Sequence, residues 1–221
     1  MGFVDIRGFA GRDCFVVPPF RAGFRTRCRW AIIRAMPIIR FDGKGPQIGD
    51  DVFVMNSATL IGDLVLSRKV LVMPNVVMRA DYNRIEVGER VVILENAVVN
   101  PVKEEPIIVR GESIIGYGAK IHGGDVGKGV FIGMNAVTLR GVKVGEHSVI
   151  AAGALLTQGM EVPPWSMVMG VPARVTRRVA GEEMEQIGRA IDRYMGMLQN
   201  LAAEQAHLDI RRGPDTSITS A

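Results

Sequence analysis

The sequence predicts an all-β solenoid, a parallel β-helix of about seven coils, with one long α-helix at its C-terminal end. Three observations predict this fold. Aliphatic residues recur at every sixth position from residue 48 to residue 168, and after Pro172 the apolar spacing becomes that of an α-helix. Hydrophobic residues make up 48% and charged residues 23% of the 221 residues, as in globular proteins.

The six-residue repeat is the strongest of these signals. Across its four registers nineteen positions are sampled, and only Thr138 is neither Val, Ile nor Leu. A period of six fits short strands separated by turns, with one inward side chain per repeat, and it does not fit a helix or a hairpin meander. The predicted inward residues are Ile48, Val54, Leu60, Leu66, Val72, Val87, Ile93, Val99, Val109, Ile115, Ile121, Val126, Ile132, Val144, Ile150, Leu156, Val162 and Val168.

Interruptions of the repeat predict loops and domain boundaries. The register breaks at residues 79–86 and 100–108, where we expect loops between coils. Four segments are predicted, namely a basic N-terminal segment (1–35), the β-helix (36–178), an amphipathic helix (179–208) and a polar tail (209–221).

The C-terminal helix is predicted from residue 182 onward. Its apolar residues fall on one side, and Glu182 and Glu183 stand near the positive end of the helix dipole. We expect this helix to pack on the outside of the solenoid or against a neighbouring subunit. The apolar positions are Met184, Ile187, Ile191, Tyr194, Met195, Leu198, Leu201 and Leu208.

The N-terminal segment carries the excess positive charge. Residues 1–35 hold seven arginines and two aspartates, a net charge of +5, whereas residues 36–221 sum to −1. Because basic residues are not spread over the folded part, the charge argues against a nucleic-acid partner. Apolar and basic residues alternate as on two sides of a helix, which fits a contact with anionic lipid, a contact with an acidic partner, or a solvated arm. The predicted contact residues are Phe20, Arg21, Phe24, Arg25 and Arg29.

Two other classes of protein are excluded by simple counts. No stretch approaches the ~18 uninterrupted apolar residues of a membrane-spanning helix, so the sequence is not that of an integral membrane protein. Cys14 and Cys28 are the only cysteines, which excludes a disulfide-rich scaffold and a zinc module. Free thiols are expected, with a bridge between the two as the alternative.

Several motifs within the repeat resemble those of γ-class carbonic anhydrases. They are Arg79-Ala80-Asp81, Leu94-Glu95 leading to Asn100, the stretch from Ile115 to Gly123, Ile132-Gly133-Met134-Asn135-Ala136, Ala151-Ala152-Gly153-Ala154-Leu155 and Gly170-Val171-Pro172-Ala173-Arg174. The resemblance covers about residues 36–205. It implies a left-handed hexapeptide-repeat β-helix that forms trimers, with Arg79, Asp81 and His122 at the trimer interface.

Departures from the family pattern fall at the zinc site. The resemblance places the three ligand positions at Asn100, Tyr117 and His122, divided between neighbouring subunits, with Asn100 in one interface and the other two residues in another. A catalytic zinc needs about three protein ligands, but a neutral amide is a poor donor and a tyrosine hydroxyl must lose a proton near pH 10. The family's catalytic glutamine is replaced by Leu94. We therefore expect no metal, no cofactor and no catalysis.

The histidines have less specific interpretations as well. His122 follows a core aliphatic residue and is expected to be a hydrogen-bonded interface residue without metal. His147 is expected on a turn, in contact with solvent. His207 has no partner motif.

A basic segment, a β-helix with a degraded zinc site and a C-terminal helix together resemble the carbonic-anhydrase-like subunits of mitochondrial respiratory complex I. The resemblance implies a structural, non-catalytic subunit of this NADH:ubiquinone oxidoreductase, in a heterotrimer with two γ-carbonic-anhydrase-like subunits. It further implies contact with membrane-arm subunits and a peripheral position on the matrix side of the mitochondrial inner membrane.

Two alternatives share the predicted fold. Hexapeptide-repeat acyltransferases use a general-base histidine in a cleft between subunits, a role that His122 or His147 would have to fill here. A second alternative is a γ-carbonic-anhydrase-like scaffold outside respiration, such as those at the pointed end of dynactin.

Overall fold

The computed structural model describes residues 38–212, with side chains described for residues 38–201. Twenty strands precede a single helix, α1 (Gly181–Arg212), in this part of the chain. The strands are β1 (Ile38–Ile39), β2 (Gln47–Ile48), β3 (Phe53–Val54), β4 (Thr59–Leu66), β5 (Leu71–Val72), β6 (Val77–Val87), β7 (Val92–Ile93), β8 (Val98–Val99), β9 (Ile107–Val109), β10 (Ile114–Ile115), β11 (Lys120–Ile121), β12 (Gly124–Val126), β13 (Phe131–Ile132), β14 (Val137–Thr138), β15 (Lys143–Val144), β16 (Val149–Ile150), β17 (Leu155–Leu156), β18 (Glu161–Val162), β19 (Ser166–Gly170) and β20 (Ala173–Arg178).

Successive coils stack in parallel and form three faces. Face 1 consists of β1, β8, β11, β14, β17 and the first halves of β4 and β6. Face 2 consists of β2, β9, β12, β15, β18 and the second halves of β4 and β6. Face 3 consists of β3, β5, β7, β10, β13, β16 and β19, and β20 closes it in antiparallel orientation. The predicted parallel β-helix with a C-terminal α-helix is confirmed.

The hexad residues form the interior of the solenoid. All predicted inward residues except Ile48 are buried, and Thr138 is buried with them. Most of their neighbours along the strand point outward because side chains alternate between the two sides of a strand. The sixfold pattern therefore reports which side chain of each short strand fills the core.

One predicted loop is absent. Residues 79–86 belong to β6, which pairs with β4 on both sides of a corner. Between the pairs Gly62↔Ala80 and Leu64↔Ile85, β6 has four residues where β4 has one, so the extra residues are absorbed in an extended bulge. The second predicted loop is present from residue 100 to residue 106, before β9 begins at Ile107.

Helix α1 packs along face 3. Ile191 and Leu198 join an apolar cluster with Leu71, Val92 and Ile114 from three successive strands of face 3. At the edge of this contact, the Arg90 guanidinium lies 2.7 Å from the Asp192 carboxylate. The predicted packing of the helix on the outside of the solenoid is thus confirmed.

The helix start is capped by its own first turn. Glu183 accepts a hydrogen bond from the Ala180 amide at 2.9 Å and pairs with the Arg177 guanidinium through two bonds of 2.7 and 2.8 Å. These hydrogen bonds, with Arg177 contributing most, lower the pKa of Glu183 to about 2. Within residues 38–212, no helix combines the length and the apolar character needed to cross a membrane.

Candidate site at the degenerate ligand positions

Two of the three expected ligand positions stack directly on face 1. Strands β8 and β11 pair in register. The backbone N–H of Asn100 donates to the Ile121 carbonyl oxygen at 2.9 Å, which places Asn100 beside His122 on the next coil. The His122 Nδ1 atom lies 3.0 Å from the Asn100 carbonyl oxygen. Because a carbonyl oxygen only accepts, this contact assigns the proton of neutral His122 to Nδ1 and leaves Nε2 as an acceptor.

The Asn100 side chain is fully engaged by Arg79. Its Nδ2 donates to the Arg79 carbonyl oxygen at 3.0 Å, and its Oδ1 accepts from the Arg79 guanidinium at 3.4 Å. The same guanidinium lies 3.3 Å from Asp81 and 5.9 Å from the centre of the Tyr82 ring. Arg79, Asp81 and His122, the expected interface residues, thus share one region of face 1.

Ala80 has a steric counterpart in the neighbouring coil. Its carbonyl oxygen lies so close to Gly62 that a Cβ atom at Gly62 would collide with it. Gly62 also has a positive φ of 83°, a conformation that side-chain-bearing residues rarely adopt. The backbone that carries Arg79 and Asp81 is therefore positioned by a glycine on β4.

Tyr117 lies apart from this pair, at the corner between face 3 and face 1. Its hydroxyl lies 3.3 Å from the hydroxyl of Tyr194 on α1, and its side chain remains 43% exposed. Burial, the hydrogen bond with Tyr117 and the nearby charges of Tyr117 and Glu95 raise the pKa of Tyr194 to about 12. Within the chain, His122 thus contacts Asn100, whereas Tyr117 contacts Tyr194; the division of the three positions between neighbouring subunits stays a prediction.

Leu94, the position where the resemblance places a catalytic glutamine, is buried, and its neighbour Glu95 is half-buried. Leu94 is 3% exposed and belongs to the apolar cluster beneath α1. The Oε2 atom of Glu95 is buried and has no hydrogen-bond partner among the described residues. A leucine supplies no hydrogen bond to a metal-bound hydroxide, so this position contributes packing to the helix contact.

These donors do not fit a zinc ion. Asn100 offers an amide whose two polar atoms are already bonded, and Tyr117 offers a phenol hydroxyl that is hydrogen-bonded to Tyr194. Only His122 presents a free imidazole nitrogen, while zinc sites use three or four nitrogen, sulfur or carboxylate ligands. Within residues 38–201, no group of three or more His, Cys, Asp or Glu side chains lies close enough to hold a metal.

The remaining predicted site residues are distributed elsewhere. His147 lies on a turn, as expected, but its ring is half-buried and packs 4.7 Å from the Trp165 ring, so it is less solvated than expected. The Arg178 guanidinium lies 5.7 Å from the Trp165 ring, beside the same tryptophan. The His207 side chain and the N-terminal contact residues Phe20, Arg21, Phe24, Arg25 and Arg29 lie outside the described side chains.

Tyr194 is the site residue that sequence reasoning missed. Its spacing marked it only as one of the apolar positions of the helix. The contact with Tyr117 depends on how α1 docks on face 3, 77 residues later in the chain. No local pattern carries that information.

A match to a family model supports the predicted six-residue repeat. The model described as bacterial transferase hexapeptide (six repeats) matches residues 125–158. Among solved structures, a putative acetyltransferase from Bacillus cereus has a TM-score of 0.75 and 26% identity, covering 77% of this chain and 99% of that one. A hexapeptide transferase family protein from Anaplasma phagocytophilum has a TM-score of 0.71 and 26% identity, covering 74% and 97%.

Curated relatives are more similar in sequence. Gamma carbonic anhydrase 1, mitochondrial, from Arabidopsis thaliana is 35% identical over 169 residues, or 74% of this chain and 62% of the relative. Carnitine operon protein CaiE from Escherichia coli strain K12 is 32% identical over 149 residues, or 67% of this chain and 76% of the relative. This chain spans about three fifths of the length of the plant relatives. The fold, the motifs and these identities show that the chain belongs to the hexapeptide-repeat family, and over 74% of its length it is similar to a γ carbonic anhydrase.

Proposed function

We propose that this protein is a structural, non-catalytic γ-carbonic-anhydrase-like subunit of mitochondrial respiratory complex I. The observation that carries the proposal is the Asn100 amide, which is hydrogen-bonded through both polar atoms to Arg79 at a position where the family has a zinc ligand. The Asn100 side chain thus binds Arg79, an expected interface residue, instead of a metal. The presence of Leu94 where the family has its catalytic glutamine, and of Tyr117 where it has a zinc ligand, supports the same conclusion.

A heterotrimer follows from the composition of face 1. Helix α1 covers face 3, whereas face 1 carries one column of outward residues that the helix does not cover and that has a single charged member. This column consists of Val77, Val98, Lys120, Val137 and Leu155. An apolar sheet face of this kind is suited to a subunit interface. The proposed partners are two family members that keep their zinc ligands.

Each copy of this chain disables two of the three interfaces. Asn100 belongs to one interface of this chain, and Tyr117 and His122 belong to the other, so only the interface between the two partner subunits keeps three ligands. A homotrimer would keep none. One copy per heterotrimer is therefore the arrangement that preserves a single zinc site.

Attachment to a membrane complex is proposed for the N-terminal segment. The plant relatives are named as mitochondrial proteins, which supports a peripheral position on the matrix side of the inner membrane. The net charge of +5 over residues 1–35 suits an acidic membrane-arm subunit or anionic lipid. In this proposal Arg21, Arg25 and Arg29 provide the contact.

Acyl transfer is the second candidate function, because the two solved structures with the highest TM-scores above carry transferase names. The chemistry needs a histidine in a cleft. An open groove of about 590 Å³ lies on face 2, but its walls are the charged pairs Arg110–Asp125 and Lys143–Glu161 with adjacent turn residues, and no histidine lines it. His147 packs on Trp165 instead.

Native mass spectrometry of the assembly purified from its own cells tests the proposal. We expect one copy of this chain with two related subunits, bound to complex I. The double variant R25S/R29S should weaken co-purification with the complex, while R68S/R193S, which removes two exposed arginines from the folded part, should not. A soluble homotrimer that binds coenzyme A would establish the acyltransferase alternative, and a trimer on another large assembly would establish a scaffold outside respiration.

A further inference from the structure

The two ends of the solenoid are covered to different extents. At the last coil, Leu156, Val162 and Val168 are buried, and Ala173 of β20 belongs to the same apolar cluster. At the first coil, the inward residues Ile38 and Ile48 are only half-buried. Ile39 is 43% exposed and Phe41 is 49% exposed beside them. We call Ile38, Ile39, Phe41 and Ile48 the first-coil patch.

The backbone of the first coil also lacks a neighbour on its outer side. Strands β1 and β2 pair only with β4, and β3 pairs only with β5, among the described strands. Unpaired strand edges next to exposed apolar side chains favour association, and solenoids need a terminal cap for this reason. We therefore expect a segment or partner with an apolar side to cover the first coil.

Helix α1 is longer than the stack of coils. It has 32 residues, or about 48 Å, whereas seven coils extend about 34 Å. The helix starts beside the last coils, where Met184 packs near Val149 and Met167, and Leu198 already lies in the cluster that includes Phe53 and Met55 of the early coils. By this length comparison, the helix is long enough for its last residues to extend past the first coil.

We propose that the N-terminal segment of the same chain covers the first-coil patch with its apolar residues. The chain enters β1 at this end, so residues 1–37 start within reach of the patch. Their apolar residues Phe20, Phe24, Cys28, Ala31 and Ile32 recur at helical spacing, separate from the arginines. Covering the patch uses the apolar residues and leaves Arg21, Arg25 and Arg29 free for a partner. The inference goes beyond the proposed function and holds for the isolated chain.

A disulfide test on the full-length purified protein uses the native Cys28. In the variant C14S/F41C, the only thiols are Cys28 and a new one on the first-coil patch, and mild oxidation should join them within one chain. Docking raises the effective concentration of the two thiols, so F20S/F24S in this background should slow the reaction about tenfold. The matched variant R21S/R25S should change the rate less than twofold.

Other outcomes would overturn the proposal. A disulfide-linked dimer would show that a second copy covers the patch. If F20S/F24S leaves the rate of intramolecular disulfide formation unchanged, the two cysteines meet only because residues 28 and 41 are close in the chain, and the proposal is wrong. Circular dichroism of each variant establishes that the β-helix is folded. Because the experiment uses no complex I, its failure leaves the proposed function standing, and loss of co-purification in R25S/R29S leaves this inference standing.

Discussion

The Tyr117 hydroxyl lies 3.3 Å from the Tyr194 hydroxyl, and this contact joins a former ligand position to the C-terminal helix. A histidine at position 117 would have to leave this contact to face a metal in a neighbouring subunit. The tyrosine instead ends at the helix of its own chain. The contact therefore links α1 to the corner of the β-helix.

Replacement of Tyr194 by Phe should flatten the alkaline pH dependence of stability. The pKa of Tyr194 is raised to about 12, whereas a tyrosine in the unfolded chain ionises near pH 10. The folded state favours the neutral phenol, so this contribution is complete below pH 10 and is lost as the pH rises toward about 12. Urea unfolding of wild type and Y194F across this window measures the difference. The exposed Tyr82→Phe should keep the wild-type slope; equal slopes in wild type and Y194F would contradict the prediction.

Replacement of Thr138 by Val should stabilise the protein by about 1 kcal/mol. Thr138 is 1% exposed, and its Oγ1 atom has no hydrogen-bond partner among the described residues. Valine has nearly the same shape and restores the aliphatic hexad. Equilibrium urea denaturation gives the change in the free energy of unfolding.

Ser148 provides the opposite control for Thr138. Its hydroxyl donates to the Pro163 carbonyl at 3.0 Å and accepts from the Ser166 amide at 3.1 Å. Ser148→Ala leaves both backbone groups without this partner and should cost about 1–3 kcal/mol. A stabilising S148A together with a destabilising T138V would mean that the hydrogen-bond assignment is wrong.

Replacement of Ile132 by Asp should prevent folding. Ile132 is fully buried in the middle of the stack, where burial of the side chain contributes about 1.5–3 kcal/mol and an unpaired carboxylate costs more. Soluble expression and thermal melting report the outcome. Met134→Asp is the matched control because Met134 is 50% exposed two residues away. Normal expression and melting of I132D would count against the register of the hexads.

Restoring the two lost histidines should restore zinc binding. We expect the purified wild-type chain to hold no stoichiometric zinc, and N100H/Y117H together to recover it in an assembly of this chain. Either substitution alone leaves one ligand position without a nitrogen donor and should not restore zinc binding. Metal analysis measures the stoichiometry, and H122A in the double variant should abolish binding again. One tightly held zinc per interface in wild type would overturn the prediction.

Replacement of Glu183 by Gln should remove an acid-sensitive contribution to the stability of α1. The pKa of Glu183 is lowered to about 2 by Arg177 and the Ala180 amide. Its contribution is therefore complete above the ordinary pKa of 4.5 and is lost as the pH falls toward about 2. Helical circular dichroism should fall in wild type over this window and change less in E183Q. Glu182→Gln, in the same turn, should behave as wild type.

The interior of the fold was predictable because one residue in six points into the core of the solenoid. Each inward residue fills the same kind of space, so the period survives in the sequence without knowledge of distant contacts. Residues 79–86 were wrongly predicted as a loop because the sixfold repeat stops there. In the structure they belong to β6, which pairs with β4 on both sides of the bulge. The bulge depends on Gly62, which lies one coil earlier, and no local spacing reveals it.

The contacts at the candidate site could not be predicted from the motifs alone. The motifs located Asn100, Tyr117 and His122, whereas the pairing of Asn100 with His122 follows from the register of β8 and β11. The engagement of Asn100 by Arg79 and of Tyr117 by Tyr194 depends on packing between segments 21 and 77 residues apart. Sequence patterns identify which chemistry is lost, and tertiary contacts determine what replaces it.

Because α1 crosses several coils, it changes how the β-helix unfolds. In a solenoid each coil contacts only its neighbours, so the ends can fray while the middle stays intact. Here one helix joins Val149 and Met167 at one end to Leu71 and Met73 near the other, and Arg90–Asp192 adds a polar link between them. Opening an end coil therefore also disturbs a contact that the other coils share. This arrangement couples the coils into one cooperative unit.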